Sequence, residues 1–407
     1  MSFTRFSCRV ILEGAPPGRR SGPPRWGFCL LGFLALLTVA IAPGAGAAVA
    51  PQPEGPLGYV PAYDDPPPAY AWQGSWQASA VSFPSLRTGA TLYATLFAPA
   101  RLPTGRLPAV VILPGSTVGT EANYQWSARD LAGHGYLALT VDPQGQGHSQ
   151  ETEVPPCRGQ LPPPHNCGDL DQPSYTSIAN WEDALESGID FLLSTGNPLR
   201  SRVNDSEIGA AGHSEGAGIV SYMQMVDHRI RAIVAWDNLN SSTTGDHGDA
   251  NCADKPTTPI VPTVPALGEA SETCLGSARD PFPSYATDPN LKLPGFEDWR
   301  AHRMSSMEVV FAGTQHLDFA QSSYDNTGHV TGSEAQLYDF EWFTRAWFDL
   351  WLRHDASAYN RLLSRSLRGA SLVSVISSEY RSAAYLPGAG VDCTDLLTCR
   401  LPPRHGG

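Results

Sequence analysis

The 407-residue sequence predicts a doubly wound α/β fold built on a mostly parallel sheet. Three observations carry that expectation. The composition, 42% hydrophobic and 16% charged, is that of a folded globular chain and excludes a coiled coil or a disordered tail. Short aliphatic and β-branched runs recur, apolar on consecutive residues as in strands buried on both faces. Each run ends in a Gly-containing turn and is followed by a helix-like stretch, which places strands and helices in alternation.

Taken in order, the strand runs are Pro108–Gly115, Gly135–Asp142, Glu207–Ser214, Arg231–Asn238, Thr263–Ala270 and Met307–Thr314. The helix candidates between and after them are Tyr124–Gly133, Ile178–Leu193, Gly216–Val226 and a long aromatic segment, Ala335–Arg353. Insertions rich in Pro, Gly, Asp or Ser interrupt the alternation at about 150–177, 240–262 and 273–298, where loops that shape a substrate site are expected.

Four divisions follow. Residues 1–50 read as an export signal: Arg19, Arg20 and Arg25 precede an uncharged segment, Trp26–Ala42, that leads into the small-residue string PGAGAAVA. Cleavage is expected near Ala47–Ala50, a retained anchor being the alternative. Residues 51–75 are a Pro-rich extended linker, 76–365 the catalytic domain, and 366–407 an extension that adds an edge element and contains SLVSVISSEY. Both outcomes at the N-terminus place the rest of the chain outside the cytoplasm. Six of the eight cysteines follow the export segment, in three local couples: Cys157 with Cys167, Cys252 with Cys274, Cys393 with Cys399. An oxidising compartment favours disulfides that staple these loops. The formal net charge is −13, and residues 1–50 hold five arginines against one glutamate, so the remainder is more acidic still. That balance excludes nucleic acid and anionic membrane surfaces as partners.

The chemistry centres on GHSEG, Gly212–Gly216, which closes the buried run IGAA and opens the helix-like GAGIVSYMQMV. So tight a strand-to-helix reversal strains its central residue and presents Ser214 Oγ at the carboxyl edge of the sheet. A serine hydroxyl needs a base, itself oriented by an acid. His316, in GTQHLDF just after a strand run, lies at the same edge and is preferred to His329. For the acid there are two candidates. Glu272 follows the TVPALG strand and keeps the chain order Ser, acid, His; Asp237 follows the preceding strand in AWDN. Glu272 is favoured, because the position after the later strand is the commoner one and its longer side chain reaches farther. Backbone N–H groups of Ser116, in LPGST, and of Glu215, directly after the nucleophile, are the expected oxyanion donors. The Glu215 side chain is expected to cap or solvate the helix start. Trp236, Phe319 and Tyr175 are candidate pocket residues.

These pieces make the chain similar to α/β-hydrolases, and among them to secreted bacterial esterases of the dienelactone-hydrolase-like and polyester-hydrolase-like kinds. LPGST, GYLALTVDPQGQGHS, GHSEGAG, AIVAWDN and GTQHLDF carry the resemblance, in that order, across about Trp76–Leu363. Glu272 departs from it, standing where relatives usually have Asp, after a strand interrupted by Pro265. The resemblance implies an exported serine hydrolase that cleaves small-molecule or polymeric carboxylic esters through an acyl-enzyme, using no metal and no organic cofactor. The alternatives are a peptidase or amidase on the same fold and a catalytically silent binding protein.

Overall fold

The computed structural model describes residues 75–115, 120–150, 178–237, 239–240, 260–273, 292–320, 334–363, 382–396 and 399, all within the unit Val49–Gly407. The export segment, the linker and most of the three insertions lie outside these residues, as do Ser116, Tyr175 and His329.

The chain opens with an antiparallel pair, β1 (Trp76–Pro84) and β2 (Thr91–Pro99), then runs through β3 (Leu107–Leu113), α1 (Gln125–Gly133), β4 (Leu137–Val141) and α2 (Ile178–Leu193). There follow β5 (Val203–His213), α3 (Glu215–Val226), β6 (Ile230–Trp236), β7 (Ala266–Thr273), α4 (Pro294–Ala301) and β8 (Ser306–Gln315). The described chain ends with α5 (Glu334–Leu352), α6 (Ala358–Leu362), β9 (Ser382–Leu386) and β10 (Val391–Cys393). The strands form one ten-stranded sheet in the order β1-β2-β4-β3-β5-β6-β7-β8-β9-β10. β3 through β8 pair in parallel, and antiparallel strands flank them on both sides.

The two-sided burial expected of the apolar runs is visible along β3, all of whose residues are buried. Val110 and Ile112 pack with α1 and α5, while Ala109, Val111 and Leu113 pack with α2 and α3. A side-chain period of two therefore feeds both layers, and each strand needs apolar residues at every position.

Helices α1, α2, α3 and α5 coincide with the expected ones to within a residue or two. Two features differ. β1 and β2 are absent from the expected runs: β1 is an edge strand exposed over most of its length, and β2, although buried from Ala94 to Pro99, pairs antiparallel with both of its neighbours. β7 runs three residues beyond the expected end at Ala270, pairing with β8 as far as Thr273 and Gln315. In the C-terminal extension β9 and β10 form an edge of the sheet, whereas the expected SLVSVISSEY lies outside the described residues; Cys393 is bonded to Cys399 across 5.8 Å between Cα atoms. The other four paired cysteines lie outside the described residues. No helix among the described residues is long and apolar enough to cross a membrane.

Candidate active site

β5 and α3 meet at Ser214, whose backbone has φ 53° and ψ −114°, a conformation disfavoured for any residue with a Cβ. The turn is held by main-chain bonds: Ser214 N–H donates to the Trp236 carbonyl (3.0 Å), and the Ser214 carbonyl accepts from Ala217 (2.9 Å) and Gly218 (3.1 Å). Glycine is required on both sides. A Cβ on Gly212 would sit 2.3 Å from the Gly216 carbonyl oxygen, and one on Gly216 would sit 2.7 Å from that of Pro114. The strain has a direct result. Although Ser214 occupies the N-cap position of α3, its hydroxyl makes no capping bond and instead lies 3.0 Å from His316 Nε2.

His316 opens a 3-10 turn, His316–Phe319, directly after β8. Its Nδ1 is 2.7 Å from Asp237 Oδ2. A carboxylate only accepts, so Nδ1 carries the proton and Nε2 accepts from the serine hydroxyl. Asp237 directly follows β6, with φ 49°, and is anchored by its own N–H donating to the Glu269 carbonyl (2.7 Å). Ser271 completes its shell: the N–H donates to Oδ1 (2.8 Å) and the hydroxyl to Oδ2 (2.7 Å). Asp237 is fully buried, which alone would raise its carboxyl. The Lys292 charge, then the His316 and Ser271 hydrogen bonds, outweigh that and hold it below the usual carboxylate range.

The expectation of Glu272 at the imidazole is corrected here: the oxygen at His316 Nδ1 belongs to Asp237, the second candidate. Because β7 continues to Thr273, Glu272 lies within the strand and not on a loop beyond it. Its side chain is outside the described residues. Of the two expected oxyanion donors, Glu215 is the first residue of α3, next to Ser214 and at the positive end of the helix. The other, Ser116, lies outside the described residues, but its neighbour Gly115 abuts Ser214: a Cβ there would meet Ser214 Cβ at 3.2 Å. The Glu215 side chain is buried at 4% exposure and so is not a solvated cap. Trp236 and Phe319 are fully buried among the aromatic residues under α5, which makes them core and not pocket walls.

Sequence reasoning passed over the second residue of GHSEG. His213 is buried; its Nε2 lies 2.9 Å from the His316 carbonyl, which can only accept, so Nε2 bears the proton. Nδ1 then accepts from the Tyr124 hydroxyl (2.7 Å), whose oxygen accepts from the Gly115 N–H (3.1 Å). Burial first, and the neighbouring His316 charge second, keep the His213 pKa well below the ordinary histidine value, so the ring is neutral. This chain joins the turn after β3, the serine elbow and the histidine turn. Gln146 and Trp181 pin the same β3 turn, donating to the carbonyls of Gly115 (2.8 Å) and Pro114 (2.9 Å). Among the described residues there is no group of three or more His, Cys, Asp or Glu that could hold a metal ion.

No family model matches the chain. Over 111 residues it is 27% identical to Cutinase 2 of Thermobifida cellulosilytica, a stretch that covers 27% of this chain and 31% of that protein. The same identity over 111 residues relates it to Cutinase cut1 of Thermobifida fusca, of which 26% is covered. The match thus spans under a third of the length of these curated relatives. This likeness supports a hydrolase of the α/β type at the level of the superfamily, and no individual family within it.

Proposed function

We propose that the chain is an exported α/β-hydrolase that cleaves carboxylic esters, small or polymeric, through an acyl-enzyme on Ser214. The observation that carries the reading is the continuous hydrogen-bonded series from Ser214 Oγ through His316 to Asp237. The strand order, the strained serine and the likeness to cutinases support it.

In this mechanism Ser214 Oγ attacks the ester carbonyl carbon while its proton passes to His316 Nε2. The carbonyl π pair moves to oxygen, where the N–H groups of Glu215 and Ser116 are the proposed donors. The imidazolium then protonates the departing alkoxide, leaving the acyl-enzyme. Water, deprotonated by the same Nε2, attacks the acyl carbon, and the proton returns to Ser214 as the acid is released. Asp237 accepts from Nδ1 throughout, fixing the tautomer and stabilising the transient cation.

A panel of chromogenic esters of graded acyl length, run beside peptide amides, tests the reading. Ester turnover by the wild type, lost in Ser214→Ala, is expected. Turnover of amides alone, or ester turnover that survives in Ser214→Ala, would contradict it.

A further inference from the structure

The chain contains two lysines, and one of them, Lys292, is buried at 2% exposure two residues before the start of α4. Its Nζ lies 3.7 Å from Asp237 Oδ1, on the carboxyl oxygen that His316 does not use. A lysine so deeply buried loses its hydration and is retained at a cost unless an anion compensates it. Asp237, fully buried, has the same need of a cation. Among the described residues Lys292 is the only lysine or arginine within ion-pair distance of it.

Other ionisable groups surround the pair. His316 bonds Oδ2 from the turn after β8, and His213 on β5 is within electrostatic reach of Asp237. Glu308 on β8 is buried, without a hydrogen-bond partner for either oxygen among the described residues, and within electrostatic reach of Lys292, Asp237 and Glu269. Burial raises the Glu308 and Glu269 carboxyls well above the ordinary glutamate range and disfavours their charge, and it lowers His213 well below the ordinary histidine value. Among the described residues, the carboxylate at ion-pair distance from the lysine is that of Asp237.

We infer that Lys292 is a positioning residue for the proposed reaction: its ammonium group keeps Asp237 ionised in a dry site and so sets the pH above which the histidine can act. The inference deepens the hydrolase reading and rests on it. A neutral acid would still occupy the position, but it would no longer offset the imidazolium charge formed as Ser214 attacks.

The test compares wild type, Lys292→Met and Lys292→Arg in kcat, KM and the pH dependence of kcat/KM on an ester that the wild type cleaves. Lys292→Met should lower kcat about 10-fold or more, leave KM within about twofold, and move the acid limb up by about one pH unit or more. Lys292→Arg should restore the limb. A folded Lys292→Met with wild-type kcat and limb overturns the inference.

Because Lys292→Met leaves a buried charge unpaired, the same change is also made in Asp237→Asn, where both charges are gone. If the lysine acts through Asp237, the double variant is no slower than Asp237→Asn alone. A further drop of the size seen in the wild-type background contradicts that route. The low-field proton resonance of His316 Nδ1–H, followed through pH in wild type and Lys292→Met, reads the pair without turnover. Its titration should move to higher pH in the variant, and an unmoved titration counts against the inference even if no ester is cleaved. Failure of the wild type to cleave any ester would sink the hydrolase reading instead.

Discussion

At Asp237 three hydrogen bonds and a buried ammonium group converge on one fully buried carboxylate. In the proposed mechanism such a group serves as the orienting acid, because its oxygens are held by hydrogen bonds and its charge is balanced. Asp237→Asn preserves shape but permits the wrong imidazole tautomer, so turnover should fall about 10^3- to 10^4-fold with KM little changed. Glu272→Gln should stay within about threefold of wild type, as expected of a residue that takes no part in the proposed triad. Steady-state kinetics of the two variants on one ester separates them; a large loss in Glu272→Gln with near-normal Asp237→Asn would reverse the assignment. Both residues were legible as candidates in the sequence. What decided between them was where β7 stops, and the end of a strand depends on its pairing with β8, a long-range contact that no local pattern encodes.

Four connections at the carboxyl edge of the sheet supply the site: the turn after β3, the elbow between β5 and α3, the turn after β6 and the turn after β8. The elbow was fully readable, since its glycines and the flanking apolar runs are local features. The chain of bonds from Gly115 through Tyr124 and His213 to the His316 carbonyl was not, because two of its three links join residues 89 and 103 positions apart. Tyr124→Phe removes the one hydroxyl shared by the Gly115 N–H and His213 Nδ1 and leaves both buried groups unsatisfied. The expected cost is about 1–3 kcal/mol of stability by denaturant titration. A fall in kcat of about 10-fold should accompany it, as the elbow and the histidine turn lose their common anchor. If both stability and kcat hold at wild-type values, the turn after β3, the elbow and the histidine turn are positioned independently of this chain.

Across the whole molecule, the parallel core was legible because strands buried on both faces announce themselves as unbroken apolar runs. The flanking antiparallel strands were less so: β1 is mostly exposed, β9 and β10 are only five and three residues long, and β2, though largely buried, is followed by another strand and not by a helix. The core also contains carboxyl groups that composition gives no hint of. Asp339 on α5 is fully buried, neither of its oxygens has a hydrogen-bond partner among the described residues, and burial raises its pKa from 3.8 to about 8. The folded state therefore holds a proton that the unfolded chain releases near pH 4. This group's contribution to stability is complete below that pH and is lost as pH rises through about 8. Asp339→Asn should match wild type in acid and become progressively more stable relative to it between about pH 4 and 8, by at most about 1.4 kcal/mol per pH unit. Thermal melts of both proteins at a series of pH values check this; a constant difference across the range would place an ionised carboxylate at that position.

The central claim, that Ser214 is a nucleophile activated by His316 and Asp237, is tested most directly by reaction with a fluorophosphonate followed by peptide mass spectrometry. A single adduct on the peptide containing Ser214, forming at a rate reduced by orders of magnitude in Asp237→Asn and absent in Ser214→Ala, is the expected result. An unmodified Ser214 peptide after prolonged exposure, or an adduct that forms equally well without Asp237, would contradict it.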